Sequence, residues 1–89
     1  MTIKYSPSFL KTLKKADVRI RNHFKERILV FSNNPIHPQL RNHPLHGKYI
    51  GKRSIDITSD WRAIYEEKRE GEDIIAYFIA LGTHSQLYK

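Results

Sequence analysis

The sequence predicts an α+β fold: an N-terminal strand, a helical hairpin, then a three-strand antiparallel meander, with the helices on one sheet face. Three observations point there. Apolar residues recur at helical spacing through residue 31, and the period changes to two after Gly51. With 89 residues, the chain has room for one core and is read as a single domain, 1–89.

Thr2 to Tyr5 alternates and reads as a short opening strand, with Ile3 and Tyr5 as its inward candidates. Ser6-Pro7 is a helix start, because a hydroxyl caps free N–H groups and proline suits the first helical position. Phe9, Leu10, Leu13 and Ala16 follow on one helical face, and Asp17 is a second cap. Ile20, Phe24, Ile28 and Phe31 form the stripe of a second helix, which Asn33-Asn34-Pro35 stops. Residues 36–50, with prolines at 38 and 44 and Gly47, read as an irregular loop long enough to suggest a function. Arg53 to Thr58 then alternates, with Ile55 and Ile57 on one face and Ser54, Asp56 and Thr58 on the other. Ser59-Asp60 turns the chain into a strand from Trp61 to Lys68, and Glu70-Gly71-Glu72-Asp73 turns it again. Ile74 to Leu81 is apolar on both sides and reads as a central strand, ended by Gly82. Thr83 to Lys89 is a tail or helical turn. On this reading the sheet face holding Asp56 stays open.

Charge is unevenly distributed. Residues 1–59 hold twelve Lys/Arg against three Asp/Glu, and residues 60–89 hold four against six, which sums to the net +7. A basic surface of this kind attracts polyanions, nucleic acid first, or an acidic protein. The chain has no cysteine, which excludes disulfides and Cys/His zinc sites and fits a reducing cytosol. Its apolar runs are too short to span a bilayer, and the first residues lack a signal-peptide core. The expectation is a cytoplasmic protein that meets no membrane.

The stretch RNHPLHGK, residues 41–48, concentrates imidazoles and cations in a segment that cannot be helical. His43, His46, Asp56, Asp60, Arg62, His84 and Tyr88 are the polar groups that the open face, the middle loop and the tail can bring to one concavity. Lys48, Lys52 and Arg53 stand around its rim. Each also has an ordinary structural use: Asp60 as a turn former, Arg62 paired with a glutamate on a neighbouring strand, Tyr88 as the apolar end of the tail. Two histidines alone are a weak metal set, so neither metal nor cofactor is expected. Together the residue types suit metal-free RNA cleavage. A base must take the ribose 2′-OH proton, a cation must steady the phosphate, and an acid must protonate the leaving 5′-oxygen. Histidine serves the first and last. Arginine's planar fork serves the second. An aromatic ring can stack on an unpaired base.

The runs HPLHGKYIGKRSI (43–55), DWRAIY (60–65) and LGTHSQLY (81–88) resemble the RelE-type toxins of bacterial toxin–antitoxin modules, in the YafQ-like branch, over essentially the whole chain. That resemblance implies ribosome-dependent cleavage of mRNA in the A site. It carries catalytic roles onto His43, Asp60 and His84, a phosphate role onto Arg62 and an aromatic role onto Tyr88. Asp56 departs from the pattern, since YafQ-like members commonly have a histidine there. An aspartate can act as a base or orienter but not as a cation. On this reading His84 is the acid and His43 or Asp60 the base, with His46 a rim contact for RNA beside Lys48, Lys52 and Arg53. The family further implies an acidic, partly disordered antitoxin partner, with operator DNA bound only as the toxin–antitoxin complex. Two alternatives keep the fold. One is a ParE-like toxin acting on DNA gyrase; the other is a basic nucleic-acid-binding module without turnover.

Overall fold

Ser6 and Asp17 begin the two long helices of the computed structural model, which describes residues 1–88. Strand β1 (Thr2–Tyr5) leads directly into α1 (Pro7–Lys15), where the Ser6 hydroxyl accepts the Phe9 N–H at 3.0 Å. Helix α2 (Val18–Asn33) starts where the Asp17 carboxylate accepts the Arg19 N–H at 2.7 Å. The tight turn between them is closed by Arg21, whose guanidinium donates to the carbonyls of Lys14 and Ala16. Those carbonyls belong to a helix end that leaves acceptors without intrahelical partners.

The rest of the chain builds a sheet: β2 (His43–Pro44), β3 (Arg53–Asp56), β4 (Trp61–Glu70) and β5 (Asp73–Thr83). Strand order is β1-β5-β4-β3-β2. β1 runs parallel to β5, from Thr2 opposite Ile75 to Tyr5 opposite Phe78, and every other pair is antiparallel. The Thr2 hydroxyl donates to the Asp73 carboxylate at 2.6 Å, which holds that carboxyl below the usual aspartate range. Glu70 faces Asp73 across a two-residue turn, and Gly71 takes the left-handed φ of +60° there. The expected three-strand meander is present. To it the structure adds β2, two residues inside the segment read as irregular. That addition is invisible to periodicity because two residues have none. The alternation after Gly51 also ends sooner than expected: Ile57 and Thr58 lie in the β3–β4 loop.

The helices cover one face of the sheet. Phe9, Phe24 and Phe31 meet Ile55, Ala63, Tyr65, Phe78 and Leu81 in the main core. Phe78 is its hub, with ring centroids 5.1 to 5.8 Å from Tyr65, Phe31, Phe9 and Tyr5.

The opposite face is not open, which corrects the expectation from sequence. Leu45, Ile64 and Leu87 form a second, smaller core there, with Tyr49, Ile79, Ala80 and Tyr88 against it. The middle loop and the C-terminal helix α3 (His84–Leu87) supply the cover. Gly82 permits this. It lies within β5 rather than ending it, and a Cβ there would meet Gln86 Oε1 at 3.1 Å and the Leu87 side chain at 3.4 Å. Ile64 points into this cluster, so the face had an apolar residue needing cover.

Ser54 is fully buried beneath the same cover, and its hydroxyl has no hydrogen-bond partner among the described residues. An unpaired buried hydroxyl costs on the order of 1–3 kcal/mol. Ser54→Ala is therefore expected to raise unfolding stability by about 1 kcal/mol. Urea denaturation checks this; a loss of stability would mean that the hydroxyl is paired. No helix among the described residues is long and apolar enough to cross a membrane.

Candidate active site

Strand register places four charged or titratable residues on the less covered side of the sheet. His43 lies opposite Ser54, which lies opposite Ile64. One step along, Asp56 lies opposite Arg62, and Arg62 opposite Gly82. Side chains directly across a sheet share a face. His43, Asp56 and Arg62 thus share one surface, and His84 begins α3 where β5 leaves it. β2 and β5 are three strand spacings apart, about 14 Å between backbones. Asp56 and Arg62, on the two strands between, stand in the gap. The two imidazoles flank this charged pair rather than touching.

His43 has a defined ring state. Its Nδ1 is 2.7 Å from the Arg41 carbonyl. A carbonyl oxygen only accepts, so Nδ1 carries the proton. In the neutral ring, Nε2 then presents a lone pair, and the residue is exposed. The backbone that supplies this carbonyl is itself fixed. Arg41 adopts a left-handed φ of 48°, and its N–H donates to Pro38 at 3.2 Å. Asn42 next to it is a clamp. Its amide donates to the Pro35 carbonyl at 2.9 Å and to the Tyr65 hydroxyl at 2.8 Å, and its carbonyl oxygen accepts from Arg53 Nε at 2.7 Å. Arg53 therefore lies on the helix-covered side, committed to this network. That corrects its expected place on the rim, because alternation puts residue 53 with Ile55 and not with Asp56.

Arg62 is also heavily committed. Nε is 3.0 Å from Asp56 Oδ1; Nη1 donates to the carbonyls of Thr58 and Trp61, and Nη2 to that of Ser59. Four of its five N–H groups are used, which leaves one on Nη2. Its pairing partner is Asp56, directly across on β3, and not a glutamate as expected from sequence. These bonds shape the β3–β4 loop, which holds Asp60 exposed. The Asp60 carboxylate has no partner among the described residues, while its carbonyl accepts the His84 N–H at 2.9 Å. The loop that Arg62 builds thus fixes the first residue of α3. A reciprocal cap between Thr83 and Gln86 fixes the rest of that turn.

His84 is exposed, and its ring lies 4.7 Å from that of Tyr88. Tyr88 in turn meets Tyr49 edge-on at 6.0 Å, with Lys48 Nζ 5.1 Å from the Tyr49 ring. The Tyr88 hydroxyl is buried and unpaired among the described residues, so its ring supports His84 from the second core. His46 is exposed at the start of the one-turn helix Gly47–Tyr49. Lys52 pairs with Glu66 at 3.8 Å. Among the described residues, no three His, Asp or Glu side chains converge as metal ligands.

Comparison with known proteins identifies the family of the chain. The model of the bacterial toxin of type II toxin–antitoxin systems, YafQ, matches residues 1–89. The mRNA interferase toxin YafQ of Escherichia coli K12 is 31% identical over 90 residues, covering 97% of this chain and 94% of that protein. The chain belongs to the YafQ toxin family. A crystal structure of YafQ from Escherichia coli BL21(DE3) superposes with a TM-score of 0.78 at 28% identity, covering 98% of this chain and 97% of that one. YafQ in the Escherichia coli DinJ–YafQ toxin–antitoxin complex superposes with a TM-score of 0.75 at 28% identity, covering 98% and 96%.

Reasoning from sequence missed three residues around this family's fold. Arg41 lies beside Asp56, Asn42 clamps the loop, and Tyr49 backs Tyr88. Arg41 and Asn42 stand in the RNHPLHGK stretch itself. Their uses depend on a left-handed backbone and on contacts from three other elements, neither of which a local pattern records.

Proposed function

We propose that the chain is the toxin of a toxin–antitoxin pair and that it cleaves mRNA on the ribosome, in the cytoplasm, without metal. The observation that carries this reading is the shared face of His43, Asp56–Arg62 and the loop-anchored His84. His43 Nε2 takes the proton of the ribose 2′-OH, and the 2′-oxygen attacks phosphorus. The bond from phosphorus to the 5′-oxygen breaks, and His84 gives that oxygen its proton. The products are a 2′,3′-cyclic phosphate and a 5′-hydroxyl. Asp60, exposed and unpaired beside His84, orients the imidazole or the ribose. Arg62 is mainly a positioning residue that shapes the loop, with its one free N–H available to the phosphate. Tyr88 holds the His84 ring, and His46, Lys48 and Lys52 form the basic approach for RNA.

A site this shallow has few groups to impose in-line geometry on a flexible strand. Orientation is worth several kcal/mol of a barrier, and the ribosome supplies it to the mRNA. The relative solved with DinJ supports an antitoxin as partner, and the net charge of +7 suits an acidic one. Added to a translating extract, the purified protein is expected to cut mRNA in the ribosomal A site, mapped by primer extension. Intact mRNA, with broken or trapped supercoiled DNA instead, would transfer the chain to the gyrase poisons.

A further inference from the structure

Asp56 faces two arginines. Oδ1 lies 3.0 Å from Arg62 Nε, and Oδ2 lies 3.7 Å from Arg41 Nε. The two arginines differ in kind. Arg62 is largely enclosed, its side chain 16% exposed, and tied to three loop carbonyls; the Arg41 side chain is 79% exposed, and its Nη nitrogens have no partner among the described residues. The β2–β3 register continued by two residues sets Arg41 across from Asp56, so Arg41, Asp56 and Arg62 form one row across the face. Arg41 also stands beside His43 through the carbonyl that fixes the imidazole. A left-handed backbone is uncommon for a non-glycine residue and costs free energy. Here it carries an exposed side chain whose single pairing is long, which calls for a use.

We propose that Arg41 is the side chain that takes the scissile phosphate, and that Asp56 is a carboxylate placeholder which holds the guanidinium over the site until the phosphodiester displaces it. This deepens the ribonuclease reading and rests on it. A carboxylate and a phosphate present similar pairs of acceptor oxygens to an arginine fork. The 3.7 Å contact is longer than a charge-assisted hydrogen bond, so the fork is kept near and lightly held. Arg62 cannot turn in the same way without giving up the loop that anchors His84. Asp56 then has a role: it supplies no proton transfer and parks the cation.

The test uses the purified full chain in a translating extract, with initial rates of A-site cleavage. Arg41→Gln keeps the backbone demand of a non-glycine residue and a polar side chain but removes the charge and the fork. Its rate is expected to fall roughly 10²-fold, with an unchanged melting temperature. Arg41→Lys is expected to recover part of the rate, since it restores charge without the fork. Asp56→Asn, which keeps an acceptor for Arg62 Nε but loosens the hold on Arg41, is expected to slow cleavage by less than Arg41→Gln does. The double variant Arg41→Gln/Asp56→Asn should stay as low as Arg41→Gln. Recovery in the double variant would make Arg41 a mere counterion of Asp56 and overturn the proposal, as would an Arg41→Gln enzyme of wild-type rate. An Asp56→Asn enzyme as slow as Arg41→Gln would overturn the placeholder role. Wild type and His43→Ala in the same extract separate the two levels. If the wild-type protein leaves mRNA intact, the ribonuclease reading itself fails; if wild type cuts, His43→Ala is inactive and Arg41→Gln cuts normally, only the Arg41 inference fails.

Discussion

Replacing His84 by alanine is expected to lower mRNA cleavage by roughly 10²- to 10⁴-fold, the range for loss of a general acid, and to abolish growth arrest on expression. The fold should survive. His84 is exposed, its ring rests on Tyr88 rather than within the main core, and the bonds that set its position come from the backbone. The Asp60 carbonyl still receives the residue-84 N–H in the variant, and the Thr83–Gln86 cap does not involve the imidazole. Circular dichroism of the variant should therefore match wild type while primer extension shows no cuts. Full cleavage by a well-folded His84→Ala protein would remove this residue from the chemistry.

Phe78→Ala is expected to have the largest effect on stability. The ring is fully buried at the centre of β5 and contacts aromatic rings from β1, α1, α2 and β4. Truncating such a residue costs on the order of 3–5 kcal/mol, from lost transfer free energy and from the cavity left behind. A chain of this length has about 5–13 kcal/mol in all. Each kcal/mol moves the midpoint of a small domain by roughly 4–8 °C, so thermal unfolding should shift down by 12 °C or more on this scale. A shift of only a few degrees would mean that the surrounding rings close the gap.

These two variants mark the division between what was legible and what was not. The helix starts at Ser6 and Asp17 were readable because capping is local: the side chain and the N–H it accepts are two or three residues apart. The strand around Asp56 was readable because alternation is a period of two, and the strand around Phe78 because a short run apolar on both sides marks a central strand. The placement of Asp56 and Arg62 on one face followed from it and is found. His84 was placed by its position after the central strand, and α3 does begin there. The open face failed for a physical reason. Alternation tells which side a residue takes, but not what comes to lie over that side. Leu45, Tyr49, Leu87 and Tyr88 arrive from separate stretches, and Ile64 was the sign that cover was needed. Arg53 failed because it was grouped with its charged neighbours in the loop, although its parity with Ile55 turns it toward Asn42.

By itself, the sequence determined the order and kind of the main elements, the helix starts, the side of each strand residue and the basic first half, since each rests on interactions among near neighbours or on simple counting. Only the tertiary structure decided the parallel docking of β1 on β5, the second core and the sharing of Asp56 between Arg41 and Arg62. Those depend on groups far apart in the chain, whose meeting is set by packing against the sheet, and no local period encodes which distant carboxylate a side chain will find.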